Sequence, residues 1–209
     1  MIVVSNNSIF QVLLLSLYLP DPSSGKGVLL LKNKIDLHEP YLTCMIIIVF
    51  GLPGSGKSYF ASRLAKKLGA LYINTDEVRM KMFSQRSYSD AEKLAVYDKM
   101  IEILQSSYPE NKVIILDGTF YKSAIRKKFE VVAEKLNSKF IFIEVTANEN
   151  KIKDRLEKPR TTSEADYGVY LKLREVAEPL EEEHLVLDSS LDDVDEMLTK
   201  SIQFLESGK

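Results

Sequence analysis

After residue 44 the apolar positions follow two alternating periods. Continuous runs of β-branched, aliphatic and aromatic residues recur five times: in "IIIVF" (46–50), Leu71–Ile73, "KVIILDGTF" (112–120), "KFIFIEVTA" (139–147) and "EEHLVLDSS" (182–190). Such runs suit strands buried on both faces of a parallel sheet. Between them the apolar spacing is helical. "YFASRLAKKLGA" puts Phe60, Ala61, Leu64, Ala65 and Leu68 on one face, which predicts a helix over Lys57–Leu68 with Gly69 as its C-cap. "DAEKLAVYDKMIEILQSSY" (90–108) carries Leu94, Tyr97, Ile101 and Leu104 at helical spacing. Ser89 with Glu92 three residues on predicts a capping box at its start. Phe129, Val132 and Leu136 form a stripe within 121–136, and Val194, Leu198, Ile202 and Leu205 form another near the C-terminus. The segment 148–170 reads as helix, short loop, helix.

The first 44 residues do not continue this alternation. "IFQVLLLSLYL" (9–19) is too short to span a bilayer, which takes about 20 residues. "MIVVSNNS" lacks the positive start of a signal peptide, and "PDPSSGKG" (20–27) breaks regular structure. The expectation is an N-terminal extension over 1–44, poorly structured or outside the native domain, and a domain over 45–209 that opens at Met45. No membrane association is expected.

Composition changes little in this picture. The 209 residues suffice for one domain with a full core, and the formal charge is −2. Residues 45–209 hold 25 basic and 27 acidic side chains, without the basic excess of a nucleic-acid-coating protein. Cys44 is the one cysteine, so neither an internal disulfide nor a cysteine zinc site is available. The cysteine-free body fits a reducing, cytoplasmic setting. His38 and His184 have no sequence partners and receive no role.

The first apolar run ends in "GLPGSGKS", Gly51 to Ser58, which matches G-x-x-x-x-G-K-[ST], the Walker A phosphate loop. The context fits: strand before, helix after. Gly51, Gly54 and Gly56 permit backbone angles closed to other residues, so successive N–H groups can face an anion. The helix that follows adds the positive end of its dipole. The nucleotide cradle is read as Gly51, Pro53, Gly54, Ser55, Gly56, Lys57, Ser58 and Tyr59. Lys57 would bridge the β- and γ-phosphates of ATP, and Ser58 would give its hydroxyl to Mg²⁺.

Two further strands end in carboxylates. "ALYINTDEVR" (70–79) reads as a strand followed by a helix start, with Thr75 able to cap and Asp76–Glu77 in the first turn. Asp76 and Arg79 share a helix face. A carboxylate beside a guanidinium there can accept a hydroxyl proton and hold an anionic substrate; the plain alternative is a capping Asp with a surface Arg. "KVIILDGTF" ends in Asp117, placed as a Walker B carboxylate for Mg²⁺ or substrate. Ligands of open α/β sheets collect at the carboxyl ends of strands, so Gly51, Asp76 and Asp117 should surround one crevice.

The ordered set "GLPGSGKS", "NTDEVR", "LDGTF", an Arg-bearing lid and "HLVLDSS" resembles the P-loop kinases of small molecules. It is most similar to the ATP-binding predicted-kinase group related to the 5′-kinase domain of polynucleotide kinase. The resemblance covers about 45–190. It implies a three-layer α/β/α P-loop NTPase fold with a five-stranded parallel sheet in the order 2-3-1-4-5 and a small helical lid. It implies Asp76 as the residue acting on the acceptor hydroxyl and Arg79 as a substrate-holding residue. Asn74-Thr75 replaces the Asp-Gly that adenylylsulfate kinases carry before that Asp.

In such kinases an arginine-bearing lid closes over the γ-phosphate. Arg155 and Arg160 flank Lys158-Pro159 and stand five apart, where the relatives often have four. Arg155 is the stronger candidate for phosphate binding and catalysis, and a positioned Arg can contribute about 10³–10⁵ in rate. Arg126 is read as a substrate-side candidate. Lys122, Arg126, Lys127 and Lys128 form either an anion patch or a solvated helix face. Met80, Met82 and Phe83 line an acceptor pocket or pack in the core. The loop Asp188–Ser190 either contacts adenine or only ends the strand and caps the next helix. The expected activity is transfer of the γ-phosphate of Mg·ATP to a hydroxyl of a small molecule or of a nucleotide or polynucleotide 5′ end. The near-neutral charge does not favour the nucleic-acid end. The alternative is a nucleotide-binding ATPase or switch that acts with a protein partner.

Overall fold

In the computed structural model, which describes residues 44–158 and 165–207, the five apolar runs form one sheet. The strands are β1 (Met45–Phe50), β2 (Leu71–Asn74), β3 (Val113–Gly118), β4 (Lys139–Thr146) and β5 (Leu185–Asp188). All pair in parallel, in the order β2-β3-β1-β4-β5. Among the described residues seven α-helices join and follow them: α1 (Lys57–Leu68), α2 (Thr75–Met82), α3 (Asp90–Ser107), α4 (Ser123–Lys135), α5 (Glu149–Leu156), α6 (Tyr167–Val176) and α7 (Val194–Glu206). The described residues lie in the unit that runs from residue 38 to 209. The expectations for residues 1–43 and for Arg160 fall outside the described residues.

Period-2 alternation along the strands builds two core layers. Ile46, Ile48 and Phe50 of β1, with Ile114 and Leu116 of β3, pack against Val96, Met100 and Leu104 of α3 and Ile125, Phe129 and Val132 of α4. Ile47 and Val49, with Ile115, face Phe60, Ala61 and Leu64 of α1 and Met197, Leu198 and Leu205 of α7. The result is the expected three-layer α/β/α arrangement. A separate small cluster of Ile152, Leu156 and Tyr170 joins α5 and α6. No helix among the described residues is long and apolar enough to cross a membrane.

Three helix readings shift. The cap of α2 is Asn74, whose side chain accepts from the N–H groups of Asp76 and Glu77, rather than Thr75. The buried face of α3 runs through Val96, Tyr97, Met100 and Leu104, and Leu94 is exposed. The α7 stripe is Met197, Leu198, Ser201 and Leu205, with Asp193 as N-cap.

The sheet reaches the phosphate loop through Gly51. Its φ of 151° is open to glycine, and a Cβ there would lie 2.2 Å from the Val145 carbonyl oxygen on β4. Gly51→Ala is expected to lower stability by about 3 kcal/mol or more. Equilibrium urea unfolding measures this, and a loss below about 0.5 kcal/mol would contradict the packing described.

Candidate active site

The loop between β1 and α1 turns through positive φ at Gly54 (82°) and Gly56 (86°). Gly56 is the N-cap of α1, and no side chain caps that terminus. No acidic residue occupies the first turn, so the helix end keeps its positive potential for an anion. The Ser55 carbonyl accepts from the buried Ser189 hydroxyl at 2.6 Å, which ties the loop to the end of β5.

Strand parity puts Tyr72, Asn74 and Asp117 on the α1 face, with Asn74 and Asp117 paired in register. The Asp117 carboxylate is fully buried. Its Oδ2 accepts from the Tyr72 hydroxyl at 2.6 Å and from the Asn74 Nδ2 at 2.5 Å. Burial raises the Asp117 carboxyl above its ordinary range, while the Lys57 charge, the hydrogen bonds from Tyr72 and Asn74 and the nearby Ser58 hydroxyl oppose that shift. Burial and the neighbouring Asp117 push the Tyr72 phenol far up, so it stays a donor. Asp117 Oδ1 is buried without a partner. An orphaned carboxylate oxygen beside the Ser58 hydroxyl fits Mg²⁺, a hard cation that takes oxygen ligands. No cluster of three His, Cys, Asp or Glu gathers among the described residues. Mg²⁺ needs none, since one or two carboxylates with phosphate and water suffice. Asp117 lines neither cavity described below, so its reading as an acceptor-binding residue is corrected: burial confines it to the Ser58 side.

Asn74 links this carboxylate to the next. Its Oδ1 caps α2, and through that turn it fixes Asp76. Arg79, also buried, reaches Asp76 at 3.2 Å through Nη1. Two cavities meet at this point. One of about 520 Å³ is lined by Gly56, Tyr59, Arg155, Lys158, Ser189 and Asp192 among others. The second, of about 300 Å³, has walls from Arg79, Tyr88, Lys93, Tyr97, Tyr121 and Lys172. Lys57, Ser58 and Asp76 line both.

Sequence reasoning missed the walls of the second cavity. Met80 and Met82 are exposed and Phe83 packs against the core, so none of the three lines it. Tyr97 is buried, accepts from the Phe120 N–H at 3.0 Å, and has its phenol pushed up to about 12 by burial. Pro53 lines the second cavity rather than the first. Tyr59 lines the larger one and is half exposed under the Arg63 guanidinium.

Arg155 reaches the phosphate loop from the end of α5. Its Nη1 donates to the Gly54 carbonyl at 3.1 Å and the Ser189 hydroxyl at 2.9 Å. Its Nη2 donates to the Ser189 carbonyl at 2.8 Å and to Asp192 at 2.6 Å. These bonds brace the loop after β5 against the phosphate loop. Of Asp188, Ser189 and Ser190, only Ser189 lines the larger cavity; Ser190 hydrogen-bonds Asp188.

Arg126 is a correction. It is buried on α4 and spends its guanidinium on the carbonyls of Phe120 (2.9 Å), Glu178 (3.1 Å) and Pro179 (2.8 Å). It therefore holds the loop after β3, where Phe120 sits at a φ of 45°, and presents nothing to a substrate. Lys127 and Lys128 pair with Glu130 and Asp98 on the exposed surface, which favours the solvated face over an anion patch. His184 packs on Phe50 below the sheet end.

Phosphate loop, sheet order and the carboxylates at the strand ends define a P-loop nucleotide-binding fold. The family described as "AAA domain" matches residues 46–180, and the chain belongs to that family. An uncharacterised protein of Mycobacterium tuberculosis is 27% identical over 131 residues, 57% of this chain and 26% of that protein. The chain thus spans about a quarter of that relative's length. An adenylate kinase of Phocaeicola vulgatus is 29% identical over 54% of this chain and 66% of its own. A gluconokinase structure from Sinorhizobium meliloti 1021 shares the fold at a TM-score of 0.60 and 19% identity, covering 79% of this chain and 95% of that one.

Arg126→Met is expected to cost about 2–4 kcal/mol, because the buried guanidinium is removed from three carbonyls, of which Phe120's is buried and the other two are partly so. Thermal or urea unfolding tests this. A change within about 0.5 kcal/mol would return Arg126 to the surface-residue class.

Proposed function

We propose that the chain transfers the γ-phosphate of Mg·ATP to a hydroxyl of a small-molecule acceptor. The observation that carries this is the shared wall: Lys57, Ser58 and Asp76 border both cavities. ATP occupies the larger cavity with its triphosphate on the loop amides and Lys57. The acceptor occupies the smaller one. When bound, Mg²⁺ neutralises phosphate charge, and Ser58 and Asp117 are the residues that would hold it.

The acceptor oxygen attacks the γ-phosphorus, the bond from that phosphorus to the β,γ-bridging oxygen breaks, and ADP leaves with the electron pair. The hydroxyl proton passes to the Asp76 carboxylate. Lys57 balances charge on the transferring group, so catalysis is mainly positioning and electrostatics. The contacts of Arg155 support a bracing role; phosphoryl stabilisation by it requires exchange of the exposed Asp192 for a phosphate oxygen. Adenylate kinase and gluconokinase differ in acceptor, a phosphate in the first and a hydroxyl in the second. An anionic phosphate oxygen needs no base, whereas a hydroxyl does, and the placement of Asp76 at the cavity junction favours the hydroxyl.

The test incubates the full chain with Mg²⁺, γ-labelled ATP and a panel of nucleosides, sugars, amino-sugar antibiotics and 5′-hydroxyl oligonucleotides. Label should appear in an acceptor, and Asp76→Asn should lower kcat by about 10²–10⁴. Label released only as inorganic phosphate, at equal rates with and without every acceptor, contradicts the proposal.

A further inference from the structure

The second cavity contains a charge arrangement that the phosphotransfer chemistry does not require. Arg79 projects from α2 to its wall, where the sequence pattern gave it an anionic acceptor to hold. In the structure its charge is already engaged twice. Asp76 lies 3.2 Å from Nη1, and Glu92 Oε1 lies 3.0 Å from Nε, off hydrogen-bond alignment. Both Arg79 and Glu92 are more than nine-tenths buried, so this contact is little screened by solvent.

Glu92 is the residue that fixes this state. The expected capping box is only half made: the Ser89 hydroxyl accepts from the Glu92 N–H at 3.3 Å, but the Glu92 carboxylate does not return to Ser89. Its Oε2 accepts instead from the Ser87 N–H (2.6 Å), the Ser87 hydroxyl (2.8 Å) and the Tyr88 N–H (3.1 Å). Burial pushes the carboxyl up, but these bonds together with the Arg79 charge outweigh it and hold Glu92 below the usual carboxylate range. The same carboxylate holds Tyr88 at a φ of 54°, and Tyr88 is a wall of the cavity with the Arg79 guanidinium 4.8 Å over its ring.

One guanidinium between two carboxylates leaves the group with a net negative charge. Of the remaining cations on this cavity, Lys57 sits on the phosphate loop and serves the triphosphate in the proposed reaction, Lys93 pairs with Asp90 at 3.1 Å, and Lys172 stands exposed on α6. Beside Arg79 an anionic substituent would meet Asp76 and Glu92 as well as the guanidinium, and like charges at such range are costly.

We propose that Glu92 is a specificity-determining residue: it takes up the Arg79 charge, dedicates Arg79 to positioning Asp76, and makes the cavity select an acceptor that is uncharged where it meets Arg79. This rests on the phosphotransfer reading for the word acceptor, while the anion discrimination is a property of the cavity alone. The acceptor class is a neutral hydroxyl compound whose flat or apolar face lies against Tyr88 and Tyr121.

The test reads binding of labelled inorganic phosphate to the full chain by equilibrium dialysis, with Mg²⁺ and a saturating non-hydrolysable ATP analogue on the phosphate loop. Wild type should bind no further phosphate in the low millimolar range. Glu92→Gln keeps an acceptor oxygen for Ser87 and Tyr88 but frees the Arg79 charge; it should gain a phosphate site at least about tenfold tighter than any in wild type, the size of one charge-assisted hydrogen bond. The gain should vanish in Glu92→Gln/Arg79→Gln. No gain in Glu92→Gln, or a gain that survives Arg79→Gln, overturns the proposal. If Glu92→Gln does not fold, Arg79→Gln alone decides: unchanged phosphate binding relative to wild type supports the proposal, and loss of a wild-type site overturns it. Failure of the analogue to bind would count against the phosphotransfer reading, and the difference between variants would still decide this one.

Discussion

Asp117 carries a carboxylate with no exposure to solvent, and the crevice is organised around holding it. A buried carboxylate is costly unless donors surround it. Here Tyr72 and Asn74 supply two bonds from β2, and Lys57 supplies charge from α1. Asn74 uses its other end to cap α2, and that cap sets where Asp76 stands. One side chain therefore couples the carboxylate suited to the metal with the carboxylate suited to the acceptor. Parallel pairing of β2 with β3 is what makes this possible, because register places Asn74 beside Asp117.

A second brace works from the opposite side of the phosphate loop. Ser189, at the end of β5, donates to the Ser55 carbonyl, and Arg155 binds both Gly54 and Ser189. The loop is thus gripped through its carbonyls; apart from the Ser55 N–H, which donates to the Leu52 carbonyl, this leaves loop N–H groups and the uncapped start of α1 for an anion. The strained turn at Phe120, fixed by Tyr97 and Arg126, carries Thr119 and Tyr121, which line the second cavity. Strain of this kind persists only where the surroundings over-determine it.

The strands and the phosphate loop were legible in the sequence because their signals are local: continuous apolar runs, and a glycine pattern between a strand and a helix; the sheet order was implied by the resemblance to P-loop kinases. Asn74 was not read as the α2 cap, since its Asp117 partner lies 43 residues away. Glu92 fitted a capping box by spacing, but a buried Arg79 and the backbone of residues 87–88 compete for the same carboxylate. Arg126 looked like a site residue because the carbonyls that consume it stand 52 and 53 residues on. On α3 the helical spacing pointed to Leu94, whereas packing against β1 and β3 buries Val96 and leaves Leu94 exposed. In each case a tertiary partner outweighed a local rule.

The account stands on two cavities that meet at Lys57, Ser58 and Asp76. A crystal structure of the full chain with Mg²⁺ and a non-hydrolysable ATP analogue tests this most directly. The account predicts the base between Arg155 and Met197, and the γ-phosphate at the junction, within reach of Lys57 and facing the cavity walled by Tyr88 and Tyr121. A γ-phosphate turned away from that second cavity, or a triphosphate bound elsewhere than on the loop from Gly51 to Ser58, would contradict it.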